Sequence, residues 1–174
     1  MNPSATTASR DEATGEITLT RIVKAPKEKV FKLWTECEHL KHWWGPKGFP
    51  INKCKVDLRP GGLFHYSMLA PNGTEMWGKF VYGRIVPPEL LEFVVSFSDA
   101  DGGTTQHPMS DTWPAEVHNV VTFADHPEGT LLTLHGGPVN ASDVQRKTFY
   151  DAFSNVQQGF NGTFEQLDAY IANN

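Results

Sequence analysis

The segment SDVQRKTFYDAFSNVQQGFNGTFEQLDAYI, residues 142–171, decides the fold of this chain. Its large apolar side chains recur at alternating steps of three and four residues, which places them on one side of an α-helix. These side chains are Phe149, Phe153, Val156, Phe160, Phe164, Leu167 and Ile171. Ser142 and Gln145 form a capping-box pattern at the start. The segment therefore predicts one long amphipathic helix that needs an apolar surface to lie on.

The residues before this helix supply that surface as strand-like runs. Apolar and polar side chains alternate with the period of two that is typical of half-buried strands. The runs lie at residues 16–24, 53–59, 63–69, 75–86, 91–97, 117–123 and 130–134. Two short helices, starting near Pro26 and near Leu40, are predicted after the first run. The pattern predicts a single α+β domain with an antiparallel sheet of about seven strands.

Composition narrows the classes of function. The chain has 174 residues, 39% of them hydrophobic, with eleven Phe, five Trp and a net charge of −5. The mild acidity and the absence of a basic run exclude nucleic acid as an expected partner, and no run is long enough to predict a membrane span. We expect a cytoplasmic protein, monomeric or homodimeric, in which Cys37 and Cys54 are reduced thiols.

Residues 1–15 carry almost no large apolar side chain, so we predict a disordered tail followed by one domain at residues 16–172. Arg21 falls on the apolar side of its strand, where it either pairs with a carboxylate or contacts a ligand anion. The polar loop from Ser98 to Thr112 is either a functional lid or an inserted segment.

Six local motifs carry a resemblance to a known family. They are WWGPKGF at residues 43–49, DLRPGGLF at 57–64, PNG at 71–73, WGKFVY at 77–82, PPELLEF at 87–93 and GTLLTL at 129–134. In this order they resemble the branch of the START-like (SRPBCC) superfamily that is named after the activator of heat-shock protein 90 ATPase. The resemblance implies a helix-grip fold, in which a bent antiparallel sheet wraps around a long C-terminal helix.

The resemblance implies three functions. The first is binding of a small hydrophobic or aromatic molecule between the sheet and the C-terminal helix. A chaperone-associated role, as the branch name suggests, is the second. The third is an enzyme of the polyketide cyclase kind.

Alternation along the strands and the helix predicts which residues line a ligand cavity, except for Trp77, whose strand carries apolar residues on both parities. The predicted ligand-binding residues are Tyr66, Met68, Trp77, Asn119, Phe153 and Phe160. The same residues could instead fill a solid core. Glycine inside a helix costs about 1 kcal/mol against alanine, so Gly159 and Gly162 indicate either that space or close approach is needed there or that the helix is kinked.

No catalytic residue, metal site or cofactor is predicted. The sequence contains no nucleophile motif such as GxSxG, no HExxH and no phosphate-binding GxxxxGK. His39 and His42 are three residues apart but lack a third ligand at a recognisable spacing. His65 and His118 lie on strands and are expected at the surface.

Overall fold

A computed structural model describes residues 6–174, which form nine strands and four helices. The first half contains β1 Thr7–Arg10, β2 Ile17–Val23, α1 Lys27–Thr35, α2 Cys37–Trp43, β3 Ile51–Val56, β4 Leu63–Leu69 and β5 Glu75–Val86. The second half contains β6 Leu90–Ser98, β7 Thr104–Thr105, β8 Glu116–His126, β9 Gly129–Val139, α3 Asp143–Asp151 and α4 Phe153–Ala172.

All strands belong to one antiparallel sheet. Its order is β1-β2-β9-β8-β6-β5-β4-β3, and the short β7 pairs with β6 beyond the end of β8. The predicted α+β class, with an antiparallel sheet and a long C-terminal helix, is confirmed. None of the described helices combines the length and the apolar character that a membrane crossing requires.

Aromatic side chains from the sheet and the helices form the centre of the core. Trp34 of α1 is fully buried and lies 6.3 Å, between ring centroids, from Phe164 of α4. Phe80 of β5 and Phe93 of β6 stack with their centroids 3.9 Å apart. Because these residues join α1, the sheet and α4, the core holds the C-terminal helix against one face of the sheet.

The predicted single helix at residues 142–171 is divided into α3 and α4. The capping box of Ser142 and Gln145 is present. At Ala152, however, φ is −85° and ψ is 7°, which interrupts the helical backbone. The guanidinium of Arg10 donates to the Tyr150 carbonyl at 2.8 Å, next to this interruption. The spacing of apolar residues continues through Ala152, so the sequence does not reveal the break.

The N-terminal segment also differs from the prediction. Residues 1–5 of the predicted tail lie outside the described residues, but Thr7–Arg10 form β1 and pair with β2. The guanidinium carbon of Arg10 lies 3.9 Å from the centre of the Tyr150 ring. Disorder is therefore the wrong prediction for this strand, which is held by backbone pairing and a cation–π contact rather than by apolar burial.

The prediction of reduced thiols is wrong in this structure, because Cys37 and Cys54 form a disulfide. The bond joins the first residue of α2 to the edge strand β3. It is a local fastening of one helix to one strand, not part of a disulfide framework.

Arg21 is buried, with 4% of its surface exposed, and its guanidinium lies 2.6 Å from the Asp168 carboxylate of α4. The same guanidinium donates to Asn161 at 3.3 Å and to Thr6 at 2.8 Å. Of the two alternatives, pairing with a carboxylate is the arrangement observed, and it ties α4 to β2.

Candidate functional site

A cavity of about 300 Å³ lies between the inner face of the sheet and the helical segment formed by α3 and α4. The sheet, the loop after α2 and both helices contribute side chains, most of them apolar. The lining residues are Ile17, Trp44, Gly45, Pro46, Tyr66, Met68, Val95, Trp113, Val117, Asn119, Phe149, Val156, Gly159, Phe160 and Thr163. A concave, mainly apolar space with a few polar groups is the usual form of a small-molecule site.

The cavity opens to solvent between α4 and the loop after α2, where its lining residues Gly159 and Pro46 are exposed. A Cβ atom built at Gly159 would meet nothing within 4 Å. Gly162, in contrast, faces the side chain of Lys47, whose Cε would lie 3.9 Å from such a Cβ. Only the first of these two helix glycines therefore borders the cavity.

Aromatic rings form much of the wall. Trp44 contacts Phe80 edge-on, with centroids 5.1 Å apart, and lies 6.4 Å from Phe160. On the opposite side, Trp113 lies 5.5 Å from Phe149 of α3. The wall thus offers ring faces and edges to any molecule inside, an arrangement that suits flat apolar compounds.

Three side chains add polar groups to this wall. Thr163 donates to the carbonyls of Gly45 and Gly159, both at 3.1 Å, so its hydroxyl proton is already engaged. Asn119 is 4% exposed and donates through Nδ2 to the Val117 carbonyl at 3.2 Å. Tyr66 is 5% exposed, and burial raises its pKa to about 12, so the phenol is neutral throughout the physiological pH range.

The position of the Tyr66 ring depends on Gly78. A Cβ atom at Gly78 would lie 2.6 Å from the Tyr66 hydroxyl oxygen, closer than real Cβ contacts allow. The phenol therefore lies flat over β5, where a glycine leaves room for it. The nearby Trp44 indole donates toward the phenol oxygen, which lowers the Tyr66 pKa and partly offsets the effect of burial.

A smaller cavity of about 120 Å³ adjoins the first. Tyr66, Met68, Val95, Trp113 and Val117 line both spaces. The two cavities therefore share part of their walls, and the smaller one lies toward the end of β6, where Ser96 and Phe97 line it.

The structure brings four of the six predicted ligand-binding residues to the larger cavity, namely Tyr66, Met68, Asn119 and Phe160. Trp77 borders only the smaller cavity. Its indole stacks on His65, with centroids 4.8 Å apart, and Lys53 lies 5.3 Å from its ring. Strand register places these partners on the outer face of the sheet. Since apolar residues occupy both parities of this strand, alternation could not assign the face.

Phe153 lines neither cavity. It is the first residue of α4, beside the break at Ala152, and the guanidinium of Arg10 lies 5.2 Å from its ring. The Phe153 side chain is partly buried and packs against the hydrophobic core. Phe149, one turn earlier, occupies the wall instead.

Sequence reasoning missed two tryptophans of the wall. Trp44 follows α2, and Trp113 follows the long loop, so neither lies in a periodic element from which its orientation could be derived. Their large aromatic side chains beside glycine and proline were the available signal. Phe149 and Val156 belonged to the recognised apolar stripe but could not be told apart from residues that fill the core.

The loop from Ser98 to Thr112 is partly ordered by a hairpin. Thr104 and Thr105 form β7 opposite Ser98 and Phe97. Further along, Gln106 donates to the Trp113 carbonyl at 2.7 Å. The loop thereby fixes the backbone of a residue that lines both cavities, which connects it to the site.

The four candidate histidines lie outside both cavities. His42 stacks on the Tyr170 ring, with centroids 5.0 Å apart, and His39 Nδ1 lies 2.8 Å from the Tyr170 hydroxyl oxygen. His118 lies 2.9 Å from the Glu92 carboxylate. Hydrogen bonds from the Arg84 backbone N–H and from His118 lower the Glu92 pKa to about 2. These contacts are structural and lie on the outer side of the sheet or along α2.

Most of the chain matches the model of a known protein family. The family model described as "Activator of Hsp90 ATPase homolog 1-like protein" matches residues 24–172. The chain belongs to this family. No curated protein matches the sequence. The predicted family membership is confirmed, and the activator-like family match covers every element from α1 to α4.

Solved structures of similar proteins have the same architecture. Protein Ms6760 from Mycobacterium smegmatis is 28% identical, with a TM-score of 0.74 and coverage of 94% of this chain and 95% of its own. A protein from Arthrobacter aurescens is 23% identical, with a TM-score of 0.79 and coverage of 97% and 92%. One from Rhodobacter sphaeroides is 19% identical, with a TM-score of 0.77 and coverage of 98% and 99%. The latter two support the helix-grip fold alone.

Proposed function

We propose that this activator-like family member binds a small apolar or aromatic molecule in the larger cavity. The observation that carries the proposal is the cavity itself, about 300 Å³ in volume and walled by aromatic side chains from the sheet, the loop after α2 and the helices. An apolar cavity half that size admits one benzene ring, so this volume suits a compound of about two rings. Release of water from both surfaces would drive the binding.

Gly159 offers a direct test. Gly159→Trp places an indole where the structure leaves open space, and it also removes a residue that is unfavourable in helices. We expect this variant to fold and to lose the fluorescence enhancement of the neutral dye N-phenylnaphthylamine. Gly162→Trp is the matched control, because it adds the same side chain to the same helix beside the flexible end of Lys47.

The two variants separate cavity binding from surface binding. Dye affinity weakened at least about tenfold in Gly159→Trp, with Gly162→Trp equal to wild type, supports the proposed site. Equal affinity in all three proteins would contradict it, because the dye would then be bound elsewhere.

A chaperone-associated role is the second candidate, and the family match over residues 24–172 is the observation that favours it. This role would use the outer face of the sheet, whereas Gly159 and Gly162 both lie on α4. Pull-down with the heat-shock protein 90 of the same organism, together with an ATPase assay, tests it. Absence of both binding and stimulation would reject this candidate.

A further inference from the structure

No ionised side chain lines either cavity within residues 6–174. A carboxylate, phosphate or ammonium group of a ligand would lose its hydration there without gaining a charged partner, which costs several kcal/mol. Such groups could reach only the mouth. The interior therefore selects for molecules without charge.

Two buried polar side chains retain unused hydrogen-bonding capacity. The Tyr66 hydroxyl has the Trp44 indole N–H near its oxygen, but among the described residues no acceptor takes its proton. Asn119 donates to the Val117 carbonyl, while no described donor reaches its Oδ1. Buried polar groups are normally paired in folded proteins. The Tyr66 hydroxyl oxygen lies over Gly78 and the Asn119 Oδ1 over Gly136, and Tyr66 and Asn119 both line the cavity.

Strand register separates the backbone positions of Asn119 and Tyr66 along the strands, and three steps in the order of the sheet separate β8 from β4. Asn119 of β8 is opposite Phe93 of β6. Tyr66 of β4 is opposite Gly78, which is opposite Phe97 of β6. From Phe93 to Phe97 the strand advances four residues, roughly 13 Å at 3.3 Å per residue.

The floor between the two polar groups is apolar. Val95 and Val117 are paired across β6 and β8 midway between the two rows, and both line the cavity. Neither valine offers a side-chain hydrogen bond, and the aromatic residues Phe160 and Trp113 line the same cavity. A molecule that spans it must be apolar along its length.

We infer that the ligand is an uncharged, elongated molecule with an apolar, ring-containing body and one polar atom at each end. An acceptor at one end receives the Tyr66 hydroxyl proton, and a donor at the other end binds Asn119 Oδ1. Linear diphenols have this chemistry, since each phenol oxygen both donates and accepts. The inference rests on the proposed function and specifies the class of compound for the same cavity.

A series on one skeleton tests this inference: trans-stilbene, its para-hydroxy derivative, the para,para′-dihydroxy derivative and the para,para′-dicarboxylate. Affinities are measured by calorimetry on the wild-type protein. We expect the dihydroxy compound to have the highest affinity. Each hydroxyl group added along the series should raise the affinity by about three- to tenfold, because it completes one hydrogen bond. The dicarboxylate should bind at least about a hundredfold more weakly than the dihydroxy compound.

Tyr66→Phe and Asn119→Leu then assign the two ends. Each variant should bind the dihydroxy compound about three- to tenfold more weakly than wild type does, and its affinity for unsubstituted stilbene should be unchanged. The monohydroxy compound can still use the intact end, so each single variant should affect it less than the double variant does. Thermal melting of each variant verifies that the fold is retained.

Two results overturn the inference while the proposed function stands. One is equal affinity of stilbene and dihydroxystilbene, with both lost in Gly159→Trp. The other is that wild type binds the dicarboxylate as tightly as the diphenol and that Gly159→Trp no longer binds it. If no member of the series binds the wild-type protein, the inference is rejected, and the dye titration of wild type and Gly159→Trp decides the proposed function separately.

Discussion

Removing the Cys37–Cys54 disulfide should destabilise the fold measurably. The bond closes a loop with a sequence separation of 17 residues. In the chain-entropy treatment, closing a loop of this length lowers the entropy of the unfolded chain and so raises its free energy by about 3 kcal/mol. For a domain of this size, each kcal/mol corresponds to roughly 2–4 °C in Tm, so the double variant Cys37→Ser, Cys54→Ser should melt about 6–12 °C lower.

The assay is urea denaturation of three samples: wild type without reductant, wild type with reductant, and the double serine variant. The reduced and variant proteins should agree with each other and should both lie about 3 kcal/mol below the oxidised protein. Thiol titration under denaturing conditions supplies the control, since the oxidised sample should contain no free thiol. Two titratable thiols in protein purified without reductant, or equal stability of all three samples, would refute the reasoning.

Two further predictions concern charged groups. The Glu92 pKa is about 2 in the folded protein and about 4.5 in the unfolded chain. The ionised carboxylate therefore contributes fully to the free energy of unfolding above pH 4.5, and this contribution is lost as the pH falls toward 2. Glu92→Gln should remove this pH-dependent stabilisation, which is on the order of 2 kcal/mol after allowing for solvent screening. Urea denaturation at several pH values measures it. Identical pH dependence of stability in wild type and variant would contradict the prediction. Asp168→Ala leaves the buried Arg21 guanidinium without its carboxylate and should cost about 2 kcal/mol, less than a fully buried pair because Asp168 is partly exposed. A loss below about 0.5 kcal/mol in the same assay would show that Asn161 and Thr6 suffice.

Much of the fold could be predicted because its elements follow simple periodicities. Alternation along β4 and β8 correctly placed Tyr66 and Asn119 toward the helix, and the apolar stripe of residues 142–171 placed Phe160 there. Of the two helix glycines, Gly159 has open space beside it, whereas Gly162 faces the Lys47 side chain, a difference that the sequence does not reveal.

The remaining features depend on contacts between distant parts of the chain. The strand β1 has no apolar pattern, because backbone pairing with β2 and the contact of Arg10 with Tyr150 hold it in place. The disulfide depends on α2 folding back against β3, which the spacing of two cysteines does not encode. Trp113 lies in irregular structure, so no period could orient it.

Native mass spectrometry of the protein purified from the organism that encodes it shows whether the cavity carries a small molecule. We expect a second species, heavier by one small molecule per chain, which denaturation releases as a neutral compound. The same added mass should be missing from Gly159→Trp and present in Gly162→Trp. A wild-type spectrum that contains only the bare chain, both as purified and after incubation with dihydroxystilbene, would contradict the account.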